Sequence, residues 1–478
     1  MNLNKFFKRK SIAQMVEEMN QSKLKRTLGS VQLILLGIGA IIGAGIFVLT
    51  GAAASQAAGP AVMLSFVLGG VACACTGLCY AELSSTIPSS GGAYSYMYAI
   101  FGEIIAWVIA FIMIVGNIFI ISAVANGWSG YMVSLLQDVG IYLPEIFAHT
   151  TGTIIENLDG TTSVALFNLP AALIVVGVLM ILYRGVEASA LFNAISVFIK
   201  MGVLISFILV GIFYIDFANW SPFIPENTGT FGQFGISGIA SGAAMVFTAY
   251  NGFDAVANAS NEAKNPQKSI PIGMIGALFI CILTYVLCAA VLTGIVNYKD
   301  LNVSQPIALA VSKMGLSWFA LIIKIGAVAG LSSVILVMTY SVVRVLYMVT
   351  EDGLLPKALA KLHRKHHTPH VATILISMII ICITATIPLG DLAQLGNCCV
   401  ISVFAAVCIG TIYLRYKEPK LERTFRCPGM PVVPLIALAL LLQTLLSMPD
   451  HTIYVYFAMT VGFAIVTYLT FAKYRSRA

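Results

Sequence analysis

Long apolar runs alternate with short polar connectors along almost the whole chain, and this pattern predicts helices that cross a lipid bilayer. A helix needs about 20 apolar residues to span the hydrocarbon. Twelve segments meet that need, at approximately 29–55, 61–85, 101–136, 164–183, 188–215, 237–261, 271–296, 317–349, 370–388, 393–415, 431–447 and 451–472. The last two are separated by Ser447, Met448, Pro449 and Asp450 alone. No connector is long enough to fold as a soluble domain. Residues 1–28 are polar and basic, and the apolar run that follows is too long for a cleavable leader and has no small-residue cleavage pattern behind it.

Two spans break the pattern internally. Residues 37–47 place Gly37, Gly39, Gly43 and Gly45 within one apolar stretch, and glycine costs about 1 kcal/mol against alanine in a helix interior. Small residues also allow close helix packing, so Gly43-Ala44-Gly45 reads either as a packing contact or as an unwound turn. An unwound turn at that depth is tolerable where it lines a cavity or meets a ligand. The second break is at residues 247–254, Phe-Thr-Ala-Tyr-Asn-Gly-Phe-Asp, where polar Asn251 precedes Gly252 and Asp254 lies within an apolar run. Spans 1 and 6 each open a five-span half, residues 29–215 and 237–415, ahead of a final pair at 431–472. Interrupted helices at matching places in two halves point to a binding site at the membrane midplane.

Composition and charge agree with this class. The chain is 59% hydrophobic and 10% charged, with a formal net charge of +7. On the side holding both termini (segments 1–28 and 473–478) and the even-to-odd connectors lie Lys5, Lys8, Arg9, Lys10, Arg184, Lys264, Lys357, Arg364, Lys365, Arg415, Lys417, Arg423 and Lys473, among others. The opposite side carries Lys299 and Lys313. The asymmetry places both termini in the cytoplasm of a multi-pass protein of the cell (inner) membrane. Topology accounts for the excess charge, so no nucleic-acid partner is needed.

Of ten cysteines, all but Cys427 fall inside apolar spans and read as small packing residues. His363, His366, His367 and His370 cluster with Lys361, Arg364 and Lys365, without a thiol or carboxylate between Lys357 and His370. This reads as a solvated face rather than a metal site. Neither a metal nor another cofactor is expected.

Lys200 lies about a dozen residues into span 5, too deep to snorkel easily. A buried ammonium must lose its charge or find partners, which makes Lys200 either a proton carrier or a fixed cation held by carbonyls. Lys324, nearer a span end, reads as an interfacial anchor. Glu82 and Glu103 sit at span ends where charge is tolerated, and Arg344 calls for a carboxylate or carbonyl partner. The stretch 262–266 reads as an inner gate or as a plain connection.

Several stretches resemble one family in order along the chain. They are residues 24–29 running into 37–51, Tyr80-Ala-Glu-Leu with 87–96, Gly252-Phe-Asp, residues 265–273, Glu351-Asp-Gly-Leu-Leu-Pro and Phe425-Arg-Cys-Pro-Gly. Together they resemble the cationic-amino-acid-transporter-like branch of the amino acid–polyamine–organocation superfamily. The resemblance implies an all-α integral membrane protein with a LeuT-like fold: a 5+5 inverted repeat, two extra C-terminal helices, twelve transmembrane helices, and discontinuous helices 1 and 6. It implies L-amino acid substrates moved by proton-coupled uptake or by exchange.

The same resemblance puts the substrate carboxylate at Ile41, Gly43, Ala44 and Gly45, and the substrate ammonium near Ile41, Phe247, Thr248, Ala249 and Asn251. It assigns coupling roles to Lys200 and Asp254, with Ser332 and Ser333 where relatives hold sodium. Three positions depart from the family. Gly116, beside Asn117, stands where many members carry a glutamate in span 3. Thr248 replaces the aromatic gate of span 6, and Asn251 replaces an aliphatic residue. A roomier, more polar pocket that favours neutral amino acids is the expectation. A proton symporter and an exchanger with a fixed lysine charge remain open. A membrane enzyme or channel ranks below both, because the deep ionisable groups reduce to Lys200 and Asp254, and polar positions gather at two breaks rather than along a pore.

Overall fold

An apolar segment without water around it must close its own backbone hydrogen bonds, and a helix does so within a single segment. The computed structural model describes residues 9–20, 26–151, 153–156, 162–303, 305–387, 389–448 and 450–470. The start of the first family stretch, Leu24 and Lys25, and the tail 473–478 lie outside the described residues.

A short helix, α1 (Ile12–Asn20), precedes α2 (Ser30–Ile41). After an irregular step the chain resumes as a π-helical turn at Gly45–Leu49, α3 (Thr50–Ala53) and a second π turn at Ala54–Ala58. Then come α4 (Val62–Thr86), α5 (Ala93–Phe101) and α6 (Glu103–Asp138), and a short antiparallel hairpin pairing β1 (Ile154–Glu156) with β2 (Thr162–Val164). Next are α7 (Leu169–Tyr183), α8 (Val186–Gly211) and α9 (Gly235–Phe247), with 3-10 segments at Thr248–Tyr250 and Phe253–Glu262. The rest is α10 (Pro266–Ile295), α11 (Pro306–Lys313), α12 (Ser317–Glu351), α13 (His370–Thr386), α14 (Leu389–Lys417), α15 (Val432–Leu446), α16 (Asp450–Tyr456) and α17 (Phe463–Thr470). Each of the twelve expected segments thus contains helix. Among the described residues, six helical runs are long and apolar enough to cross a membrane, and Leu169–Tyr183, His370–Thr386, Val432–Leu446 and Thr460–Thr470 are shorter apolar helices.

The two interrupted segments lie at the centre. α2 packs against α8, α10 and α12 and against the 3-10 segment Phe253–Glu262, while α6 packs along α12 and α14. The periphery is apolar too: Leu191, Phe198, Leu209, Phe279, Leu283 and Met378 are exposed on α8, α10 and α13. Exposed apolar surface of this extent suits lipid rather than water.

Charged residues concentrate where α2 begins and the 3-10 segment ends. Glu262 is buried, 2.5 Å from Arg344, and accepts the Tyr340 hydroxyl. Its backbone carbonyl accepts the N–H groups of Thr27 and Leu28, each at 3.0 Å. Arg344 therefore has the carboxylate partner that its depth demands. Glu82 differs from the expectation of a tolerated charge at a span end, because it is buried. It accepts Arg415 Nε at 2.9 Å and the Cys427 N–H at 2.8 Å, and pairs with Arg423 at 3.1 Å. The chain after α14 folds back over this carboxylate and buries it together with Cys427. Asp352 joins Lys10 at 2.5 Å to the Tyr94 hydroxyl at 2.6 Å, and Lys324 pairs with Asp138 at 2.5 Å.

Removing one member of a buried ion pair leaves an uncompensated charge, at a cost of about 3–5 kcal/mol. Arg344→Met is expected to destabilise the protein by about that much, read as a fall of several degrees in the unfolding midpoint in detergent. An unchanged midpoint would show that Glu262 does not depend on Arg344.

Candidate functional site

The first break begins where α2 ends. Ile42 is extended, with φ −75° and ψ 105°, so the α-helical ladder stops there. The last carbonyls of a helix have no partner within it, and here other helices supply them. Lys200 of α8 donates to the carbonyls of Gly39 at 2.9 Å and Ile42 at 2.8 Å, and to Ser333 Oγ at 2.8 Å. Its ammonium is fully buried with three acceptors for three protons. The cation also sits where the dipole of α2 is negative. Ser333 in turn donates its hydroxyl to the carbonyl of Gly330 at 2.7 Å or of Gly39 at 3.1 Å. Tyr285 of α10 donates its hydroxyl to Ile41 O at 2.9 Å or to Ala249 O at 3.0 Å, and so bridges the two broken segments.

The second half of span 1 starts at Gly45 with Ala44 before it and no side chain capping it. Its first N–H groups therefore face the break, an arrangement that suits a carboxylate. A Cβ on Gly45 would collide with the Cβ and Cα of Ala249, so glycine is what lets the two breaks meet. Gly252 is the second such position. Its φ is +112°, and a Cβ there would stand 3.0 Å from the Ala40 carbonyl. A left-handed turn this close to another backbone favours glycine.

Between the breaks lies a cavity of about 60 Å³. Ala40, Ile41, Gly43, Ala44, Gly45, Val48 and Leu49 line it from span 1, and Thr248 and Asn251 from span 6. Ile120, Ala123, Val124 and Gly127 of α6, Val334 and Met338 of α12, and Ala393 of α14 complete the wall. No charged side chain is among these residues. Polar side chains come from span 6 alone. Thr248 Oγ1 accepts Asn397 Nδ2 at 2.7 Å, while Nδ2 of the buried Asn251 has no partner among the described residues.

The structure therefore gathers Ile41, Gly43, Ala44, Gly45, Thr248 and Asn251 around one space, with Ala249 packed directly behind Gly45. Other expected site residues lie elsewhere. Cys399 of α14 fills the space where a Gly116 side chain would go, and Asn117 donates to its own helix at Met113 O, 2.9 Å away. Phe247 stacks edge-on against Phe404 at 6.3 Å. Asp254 is buried within the 3-10 segment, outside the cavity wall. Ser332 and Ser333 part company: Ser333 holds Lys200, whereas Ser332 accepts Trp128 Nε1 at 2.8 Å.

Sequence reasoning missed the aliphatic wall from α6 and α12, the Tyr285 bridge and Asn397. Asn397 alone carried a signal, as an amide inside an apolar run. A tyrosine or valine in a membrane helix looks the same whether it faces a cavity, a neighbour or lipid.

Gly45→Ala is expected to push Ala249 away and weaken the binding of whatever ligand the cavity takes by about tenfold or more in a protein that remains monodisperse, as measured by ligand-induced thermal shift. Unweakened binding in that variant would remove the 43–45 break from the site.

Comparisons with known proteins agree with this architecture. The family model described as "Amino acid permease" matches residues 28–471. The chain is 40% identical over 474 residues to a methylthioribose transporter of Bacillus subtilis (strain 168), covering 99% of each. It is also 40% identical over 473 residues to the branched-chain amino acid permease BcaP of the same organism, covering 98% of each. A chloroplastic cationic amino acid transporter 9 of Arabidopsis thaliana is 38% identical, over 73% of this chain and 59% of the relative. The resemblance read from the motifs holds across the chain, and this multi-pass membrane protein belongs to the amino acid permease family.

Proposed function

We propose that this permease is a secondary active transporter that carries neutral L-amino acids across the cell membrane by alternating access, with proton-coupled uptake. The fold underlying that reading is the LeuT-like 5+5 inverted repeat of twelve transmembrane helices, with both termini cytoplasmic. The observation that carries it is the cavity enclosed by two helix breaks, with uncapped N–H groups on one side and no charged side chain in its wall. Such a wall can take an amino acid backbone through peptide groups and an uncharged side chain through Ile120, Val124, Val334 and Met338. An arginine or lysine side chain would enter without a counter-charge, which is costly in a low-dielectric space.

In this reading, substrate binds at residues 41–45 and 248–251. Lys200 and Ser333 bias the position of α2, and so the balance between outward- and inward-open states. Coupling follows if the opening of the inner end pulls α2 away and strips Lys200 of its carbonyl acceptors, so that its proton can leave. Asp254, buried in the 3-10 segment, is the second coupling candidate. A fixed-charge exchanger is the second reading, and the three acceptors around the three protons of Lys200 favour it. The 40% identical relative named as a methylthioribose transporter keeps a neutral non-amino-acid ligand in the comparison. An enzyme reading would need a reactive centre, and the cavity wall holds neither a carboxylate, an imidazole nor a thiol.

Two measurements test the proposal. In proteoliposomes, an inward proton gradient in sodium-free buffer is expected to drive accumulation that Lys200→Ala abolishes. Exchange that ignores the gradient would select the fixed-charge reading, and sodium-dependent uptake would remove Lys200 from coupling. In a thermal-shift screen of the twenty amino acids and methylthioribose, the largest shifts are expected from neutral amino acids. Arginine or lysine on top would overturn the selectivity, and methylthioribose alone would overturn the substrate class.

A further inference from the structure

We infer that Thr248 and Asn251 form a hydrogen-bonding patch that selects neutral ligands with a hydroxyl or carboxamide side chain over their apolar isosteres. The inference rests on amino acid transport through the cavity proposed above, and it narrows the substrate class within it.

Asn251 follows directly on the 3-10 segment Thr248–Tyr250. Residues three apart eclipse in 3-10 geometry, so Thr248 and Asn251 present one face, and both line the cavity. Asn397 Nδ2 occupies the acceptor side of Thr248 Oγ1. Accepting that bond leaves Thr248 its own hydroxyl proton as a donor. Asn251 is only 6% exposed, and its Nδ2 is a buried donor without a partner among the described residues.

A buried amide without a partner is costly in an otherwise aliphatic cavity, and a bound water is the simplest way to satisfy it. A ligand that enters must displace that water. An apolar group that cannot reproduce the water's hydrogen bonds loses affinity, whereas a hydroxyl or carboxamide replaces them. Packing alone discriminates poorly between groups of equal size, but a site built around a hydrogen bond rejects the analogue that lacks it. Charged side chains gain nothing here, since the ammonium of Lys200 is spent on the carbonyls of α2.

Two near-isosteric pairs test this: threonine against valine, and asparagine against leucine. Each competes for uptake of labelled threonine into proteoliposomes. Wild type is expected to favour threonine over valine, and asparagine over leucine, by about tenfold or more. Asn251→Leu is expected to bring both ratios close to one, and Thr248→Val to lower them by less. Circular dichroism and size-exclusion profiles check that the variants are folded. Parity or reversal in wild type overturns the inference without any variant. A ratio that survives in folded Asn251→Leu also overturns it. Failure of all four amino acids to bind would instead overturn the amino acid reading on which it rests.

Discussion

Peptide groups freed by a helix break at membrane depth must be satisfied by protein, because no water is there to take them. The arrangement of this molecule's centre follows from that constraint. Ending α2 at Ile41 exposes carbonyls that need donors, and α8 and α10 supply them through Lys200 and Tyr285. Each donor ties the break to a neighbour: Lys200 brings Ser333 of α12 with it, and Tyr285 also reaches Ala249 in the second interrupted segment. α2, α8, α10, α12 and the second interrupted segment are thus joined by a few polar contacts inside an apolar bundle. A shift of α2 would have to exchange these partners.

The constraint also gives the cavity its polarity. The carbonyl end of the break is occupied by Lys200 and Tyr285, while the N–H end at Ala44 and Gly45 has no side-chain cap. Acceptors are therefore what one side of the break lacks. Charge is kept out of the wall and concentrated at the end of the bundle where α2 begins. There Glu262, Arg344 and Tyr340 join the end of the second interrupted segment to α12. The Glu262 carbonyl also holds the chain entering α2 through Thr27 and Leu28. Both interrupted segments are thus anchored at the same end, next to each other.

The class of protein is legible in the chain, and so is the neighbourhood of each helix break. The first break falls at Ile42 and Gly43, one residue ahead of the expected Gly43-Ala44-Gly45 turn, with Ala44 already helical. Apolar length, the basic asymmetry of the connectors and the Gly43-Ala44-Gly45 and Asn251-Gly252 steps are local features, and each acts through the chain's own backbone or its transfer into lipid. The depth of Lys200 was legible for the same reason, since a lone ammonium in a long apolar run has to be satisfied wherever it lands. Tertiary structure decided which groups meet. Gly116 reads as a missing carboxylate in the sequence, but Cys399 from a distant helix fills the space beside it. Ser332 and Ser333 are neighbours in the chain, yet a helical step of about 100° turns them to Trp128 and Lys200 respectively. Asn251 shares its cavity with aliphatic residues of α6, α12 and α14, and its Nδ2 finds no partner among the described residues. Membrane helices are apolar on nearly every face, so periodicity carries little record of which side meets lipid, a neighbour or a cavity. That record is written by packing between segments far apart in the chain.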